Sequence, residues 1–292
     1  MLTSLLSTLW ESFISTLLYY KASVFFEVPW YQNYFYGLVL ISLIVWGLEL
    51  LFPWRKDQKV FRADFFLDLG HMFFNFFLFS AAVSGIYALI ETGVGHYGIH
   101  MKSLALLSLD ELPVVAQLLL FFIVLDFVQW VTHVALHRFE WLWRFHQLHH
   151  SVKEMGFAAH FRYHWMENIL YKPLKTLAIM LLGGFEPEQA YIVHFAAITI
   201  GHLNHANLGL TYGPLKNVLN NPVMHLYHHA KTLPKAHPYG VNFGISLSLW
   251  DYLFKSSFVP RKEAYLELGY EGDEHMPKSF ISQHLYGFKK GQ

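Results

Sequence analysis

Residues Pro113 to His150 read PVVAQLLLFFIVLDFVQWVTHVALHRFEWLWRFHQLHH, an apolar run that ends in a burst of histidines. From Pro113 to Trp130 the only formal charge is Asp126, and the run matches the roughly 20 residues that cross a bilayer. His133 and His137 follow at helical spacing, then His146-Gln-Leu-His149-His150. The same tripartite cluster returns 79 residues later as His225-Leu-Tyr-His228-His229. With histidine at 19 of 292 positions, one His-x-x-His-His arises by chance roughly 0.1 times per chain, so two copies are not coincidence. Positions i, i+3 and i+4 lie on one side of a helix, so each cluster is expected to aim its three imidazoles at one point, as a metal site requires.

The rest of the chain fits a membrane setting. It is 54% hydrophobic, 18% aromatic and only 14% charged, against about 25% charged for a soluble domain. Tyr34 to Phe52 and His71 to Ile90 are further apolar runs of spanning length, and Leu2 to Tyr20 is expected to be a fourth span, although Glu11 and several Ser and Thr interrupt it. That first stretch lacks the basic start and small-residue cleavage site of a signal peptide. Arg55, Lys56, Lys59 and Arg62 precede the third span, and Arg138, Arg144, Lys153 and Arg162 follow the fourth, so both segments and all the histidine clusters are expected on the cytoplasmic side.

Two weaker apolar segments, Ile169 to Gly184 and Ala190 to Ile200, flank a Gly183-Gly184-Phe185-Glu186-Pro187 helix stop. For the later histidines to meet the first cluster these segments must cross an even number of times. A re-entrant or interfacial hairpin satisfies this, with Lys172 and Lys175 favouring shallow insertion. The expected fold is all-α: a polytopic bundle of about four spans plus that hairpin, under a cytosolic His-rich helical cap. No linker divides it, so one domain is expected, with 1–132 mainly transmembrane, 133–258 the His-rich catalytic core and 259–292 a C-terminal tail.

Net charge is zero, which gives no reason to expect nucleic acid. The absence of cysteine removes thiolate metal sites, iron–sulfur clusters, disulfides and a cysteine nucleophile together. The eight imidazoles of the three groups exceed what one four-coordinate zinc uses, whereas two metals would use nearly all of them. His202 and His205 offer a ninth and tenth nitrogen. His160 and His164, at i and i+4, suit a substrate-facing or hydrogen-bonding role as well as ligation. Asp126, two turns before His133 on the same face, could orient an imidazole.

Taken together, Asp126, His133-x3-His137, His146-x2-His149-His150, His205-x-Asn207, His225-x2-His228-His229, Asn242-Phe243-Gly244 and Trp250-Asp251 resemble the fatty acid hydroxylase/sterol desaturase superfamily of integral-membrane non-haem di-iron proteins over roughly residues 126–254. The resemblance implies two iron ions held by histidines, O2 as co-substrate, and hydroxylation or desaturation of an unactivated C–H bond of a sterol, fatty acyl chain or alkylglycerol. It implies ligand roles for His133, His137, His146, His149, His150, His205, His225, His228 and His229, extends them to His202 and His164, and makes Asp126, Asn207, Asn242 and Asp251 supporting residues. The chain departs from the pattern at His237-Pro238-Tyr239-Gly240-Val241, where relatives often carry an acidic residue.

Neutral imidazoles suit such chemistry because an oxidant able to break C–H bonds would also attack thiolates. No flavin or dinucleotide motif and no fused cytochrome is present, so an external reductase, ferredoxin or cytochrome is expected to supply electrons. Two rival readings are a membrane zinc hydrolase, which would carry His-Glu-x-x-His, and a non-catalytic metal or haem carrier, whose histidines or carboxylates would lie within the spans. An apolar tunnel from the bilayer is the expected substrate route. Lys289-Lys290 near the C-terminus has the form of a dilysine retrieval signal, and either a bacterial inner membrane or the endoplasmic reticulum is compatible.

Overall fold

A computed structural model describes residues 2–96, 105–107, 109–183 and 187–288. It is all-α, with no strand among the described residues. The expectations for Gly184-Phe185-Glu186 and for Lys289-Lys290 lie outside the described residues.

Among the described residues three helices are long and apolar enough to cross a membrane: α2 (Tyr34–Leu51), a helix running from Phe65 to Ile86 within α3 (Phe65–Phe73) and α4 (Phe79–His96), and α5 (Val114–Arg138). In α2, Asn33 caps the N-terminus by accepting from Tyr36 N, and Leu38, Ser42, Val45 and Glu49 form the buried stripe. The opposite face is as apolar but open, with Leu40, Leu43 and Ile44 all more than half exposed. An outward apolar face of this kind suits hydrocarbon rather than water. The long third helix begins six residues before the expected His71 because Asp68 and His71 turn inward, where Arg62 and Arg162 bind the Asp68 carboxylate. A π-helical turn, Phe74–Leu78, joins α3 to α4. The expected first span is α1 (Leu2–Val24), which packs along α4 but is not among the three strongly apolar helices.

The hairpin reaches farther than a shallow insertion. Helix α7 (Trp165–Leu182) starts beside the histidines and ends at the opposite loop, where Leu106 N donates to Leu181 O; α8 (Pro187–His205) returns the chain to the histidines. The even number of passes therefore stands, but the two helices run the depth of the bundle. Nor do Lys172 and Lys175 snorkel outward. They line an internal cavity, while Leu174 and Leu177 form the exposed face of α7.

At the histidine end the connecting segments interlock. Arg55 N donates to Asn207 Oδ1 at 2.9 Å, Asn207 N to Glu49 Oε1 at 2.8 Å, and Arg162 Nη1 to Asp68 at 3.0 Å. The loop after α2 and the segment after α5 thus share one end of the bundle, as their basic residues required. Short helices α6 (Glu140–His150), α9 (Pro222–His228), α10 (Leu249–Leu253) and α11 (Phe280–Tyr286) complete this end. Within 259–288, Tyr270, Met276 and Tyr286 pack on Leu148 of α6.

Candidate metal centre

Nine buried or nearly buried histidines form two abutting groups. His133, His137, His146, His150 and His228 make the first; His149, His205, His225 and His229 make the second; within each, one ligand atom per residue lies within 4.8 Å of all the others. The groups touch, with the His150 and His229 rings 4.5 Å apart and those of His228 and His225 5.1 Å apart.

Each tripartite cluster divides between the two groups instead of aiming at one point. Helical residues advance 100° per position, so i and i+4 diverge by about 40°, whereas i+3 and i+4 diverge by about 100°. His146 and His150 therefore stay together while His149 turns to the second group. Likewise His225 and His229 stay together and His228 crosses to the first. The two clusters interleave, each serving both positions.

The hydrogen bonds behind the rings fix which nitrogen faces inward. His133 Nδ1 lies 2.7 Å from Phe243 O, His149 Nδ1 3.1 Å from Arg162 O, His205 Nδ1 2.8 Å from Gly201 O and His228 Nδ1 2.8 Å from Val241 O. A carbonyl only accepts, so each Nδ1 carries the proton and each Nε2 is left with a lone pair. His146 Nδ1 faces Glu167 Oε2 at 3.0 Å, the carboxylate–histidine arrangement that strengthens a metal ligand.

The lone-pair nitrogens then confront one another. His205 Nε2 and His149 Nε2 are 3.3 Å apart with no proton left to share, and His133 Nε2, fixed in the same way, faces His146 Nε2 at 3.1 Å. His228 Nε2 has no hydrogen-bond partner although buried. Such a contact repels unless a cation lies against both nitrogens. Two imidazole nitrogens about 2.1 Å from one ion and 90–109° apart would be separated by about 3.0–3.4 Å, which matches. Burial and the neighbouring imidazoles also push His146, His149, His150, His225, His228 and His229 well below the usual 6.5, so these rings stay neutral, the form that ligates. The residues present fit a pair of metal ions.

Two histidines expected to ligate lie outside both groups. His164 caps α7: its Nδ1 accepts from Met166 N at 3.1 Å and its Nε2 donates to His284 O at 2.7 Å, leaving no nitrogen for a metal. His202 sits one helical turn before the end of α8 and faces Ser42 Oγ at 3.1 Å and His160 Nδ1 at 2.8 Å. His160 borders the second group, its ring 5.1 Å from that of His205.

The supporting residues act at one remove. Asp126 does not touch His133, since seven residues of helix carry it about 10 Å away. It accepts instead from Ser246 N, Leu247 N and Trp250 Nε1, pinning the loop that brings Phe243 O to His133. Asp251 holds the same loop through Phe243 N at 2.9 Å and Gly244 N at 2.8 Å. Asn242, at φ 53°, bonds Met224 O and Phe258 O between the two carbonyls that set His133 and His228. Asn207 ties the end of α8 to Arg55 and Glu49. Glu167 is the site residue that the sequence did not single out; its only signal was a carboxylate three residues after His164 in the first turn of α7.

A cavity of about 610 Å³ opens from the histidines into the bundle, within the range of ligand pockets. His133, His146, His149 and His205 form one end, and Tyr34, Phe76, Phe122, Phe161 and Val193 line its apolar body. Aromatic side chains thus form much of the cavity wall.

Residues 118–256 match the family described as fatty acid hydroxylase. The chain is 26% identical over 263 residues to the ornithine lipid hydroxylase of Rhizobium tropici, covering 89% of this chain and 76% of that protein. It is 27% identical over 143 residues to the alkylglycerol monooxygenase of Caenorhabditis elegans and 27% over 148 residues to that of Xenopus tropicalis, spanning only 26% and 31% of those proteins. No solved structure matches the chain. Over residues 118–256, which hold every histidine of both groups, the chain is similar to the fatty acid hydroxylase family. Those relatives are by name a lipid hydroxylase and monooxygenases, which supports an oxidoreductase.

Proposed function

We propose that this protein is a membrane-embedded di-iron enzyme that uses O2 to hydroxylate an unactivated C–H bond of a lipid. The observation that carries the reading is the pair of abutting imidazole groups at the closed end of a lipid-sized apolar cavity. Hydroxylation is favoured over desaturation because the relatives named above are a hydroxylase and monooxygenases.

His133, His137, His146, His150 and His228 would hold one iron, and His149, His205, His225 and His229 the other. Bound there, the irons would supply reductive activation of O2 for C–H cleavage. The chain's own residues do the rest. Glu167 and the carbonyls of Arg162, Gly201, Val241 and Phe243 lock five imidazoles with Nε2 inward, so the ligand array is set before any metal arrives. Asp126 and Asp251 hold the loop that carries two of those carbonyls. The aromatic walls exclude water and lay one lipid chain against the histidines. Electrons would come from a separate reductase, ferredoxin or cytochrome docking on the histidine end, which the basic residues of the adjoining segments assign to the cytoplasm.

Lipid profiling by mass spectrometry of cells with and without the gene, under ¹⁸O2, tests this reading. A lipid that gains one oxygen atom from ¹⁸O2 only when the gene is present is the expected result. Loss of two mass units would make the enzyme a desaturase, and hydrolysis with zinc in the site would sink the proposal.

A further inference from the structure

The cavity that runs from the histidines carries two cations that the proposed chemistry does not use. Lys172 and Lys175 project from α7 into it, half-buried, among apolar walls. Each is met by a neutral oxygen: Lys172 Nζ donates to Ser80 Oγ at 2.7 Å, and Lys175 Nζ donates to Gln129 Oε1. The two carboxylates lining the same cavity are engaged elsewhere. Asp126 accepts from Ser246 N, Leu247 N and Trp250 Nε1, and Glu167 accepts from His146 and His164 N. A lysine on a membrane helix ordinarily turns its ammonium out to the interface, because an uncompensated charge inside is unfavourable. Here both turn inward, while the outward face of α7 is Leu174 and Leu177. The hydrogen bonds of both ammoniums go to neutral groups, and Asp126, the one carboxylate whose charge reaches Lys175, is already held by three N–H donors, so the pair of cations suits an anion from outside the chain.

We infer that Lys172 and Lys175 anchor an anionic group, a carboxylate or a phosphate, of the lipid that fills this cavity. The inference rests on the proposal that the cavity takes lipid. It also sets where on the lipid the reaction falls. Gln129, which holds Lys175, lies one helical turn before His133 on α5, a rise of about 6 Å, and Lys172 lies five residues beyond Glu167, about 7.5 Å along α7. The anion is therefore close to the imidazole groups, and the attacked carbon belongs to the head-proximal part of the lipid rather than to a chain terminus.

The test is binding, which needs no turnover. Metal-loaded protein in neutral detergent is titrated with a fluorescent 18-carbon polyene fatty acid and, separately, with its methyl ester. A charge-assisted contact predicts that the acid binds about tenfold or more tightly than the ester. Lys172→Gln with Lys175→Gln brings the acid to the affinity of the ester and leaves the ester unchanged, whereas Lys172→Arg with Lys175→Arg keeps the preference. Competition by octadecyl phosphate and by stearate then tells phosphate from carboxylate by which displaces the acid more strongly. Equal binding of acid and ester by the wild type, a preference that survives both Gln substitutions, or failure of both competitors overturns the anchor. Binding of neither acid nor ester overturns the lipid cavity on which the anchor rests.

Discussion

Glu167→Gln separates the two metal positions. The Glu167 carboxylate receives His146 Nδ1 at 3.0 Å, and His146 belongs to the first group only. The second group owes its orientation to backbone carbonyls at His149 and His205, which the substitution does not touch. Gln keeps the side-chain length and can still receive His164 N, so the start of α7 is preserved. What is lost is the charge that Glu167, its carboxyl pushed up to about 8 by burial, would take on beside a metal-bound His146. A charge-assisted bond contributes about 1.5–3 kcal/mol and a neutral one about 0.5–1.5 kcal/mol, so the difference is of order 1.5 kcal/mol, a factor of about ten. The weaker basicity of His146 adds to this, and removing such partners typically lowers metal affinity by about 10–100-fold. Anaerobic calorimetric titration of metal-stripped protein with Fe(II) reads the outcome. The expected isotherm has two sites, one at wild-type affinity and one about 10–100-fold weaker. Two sites weakened equally, or neither weakened, would refute the assignment of Glu167 to one position.

Neighbouring histidines should behave as members of different sites: His149→Ala should weaken the second metal and His150→Ala the first, with each variant retaining one ion per chain by metal analysis. Gly201→Ala places a Cβ about 2.3 Å from the His160 ring, beside the carbonyl that orients His205, so it should lower thermal stability and affinity at the second position while sparing the first. The imidazoles of α6, of α9 and of His229 just after it, held below the usual 6.5, give the metal-free protein a pH-dependent stability. As pH falls below about 6.5 the unfolded chain takes up protons that the fold refuses, so stability drops by about 1.4 kcal/mol per pH unit for each imidazole kept neutral. Melting temperatures measured from pH 7.5 to 5 should fall steeply below 6.5; a flat profile would contradict the buried, neutral cluster.

Much of the bundle was legible because lipid-facing helices are apolar on their outside, and an apolar run such as Tyr34 to Phe52 announces itself. The inner faces were not. Asp68 and His71 hid the true start of the third helix, since hydropathy counts a buried, Arg-paired carboxylate as polar surface. The depth of the α7–α8 hairpin was masked by Lys172 and Lys175, whose charges read as interfacial until the cavity between the helices showed where they point.

At the site, spacing identified nine residues that gather, because metal ligation leaves a dense signature in one residue type. Spacing could not divide them, for it takes the 100° step between adjacent residues, seen in three dimensions, to send His149 and His150 to different groups. His164 looked like a ligand by pattern and is a helix cap by geometry. The orienting partners were invisible for a plainer reason: four of them are backbone carbonyls, which every residue possesses.

The most direct measurement is the metal content and Mössbauer spectrum of protein expressed with ⁵⁷Fe and purified anaerobically, for the wild type and for His225→Ala. Two irons per chain with a coupled spectrum in the oxidised wild type, and loss of that coupling in the variant, are expected. One metal per chain, zinc in place of iron, or two irons that survive His225→Ala as a coupled pair would contradict a dinuclear centre built from these two interleaved groups.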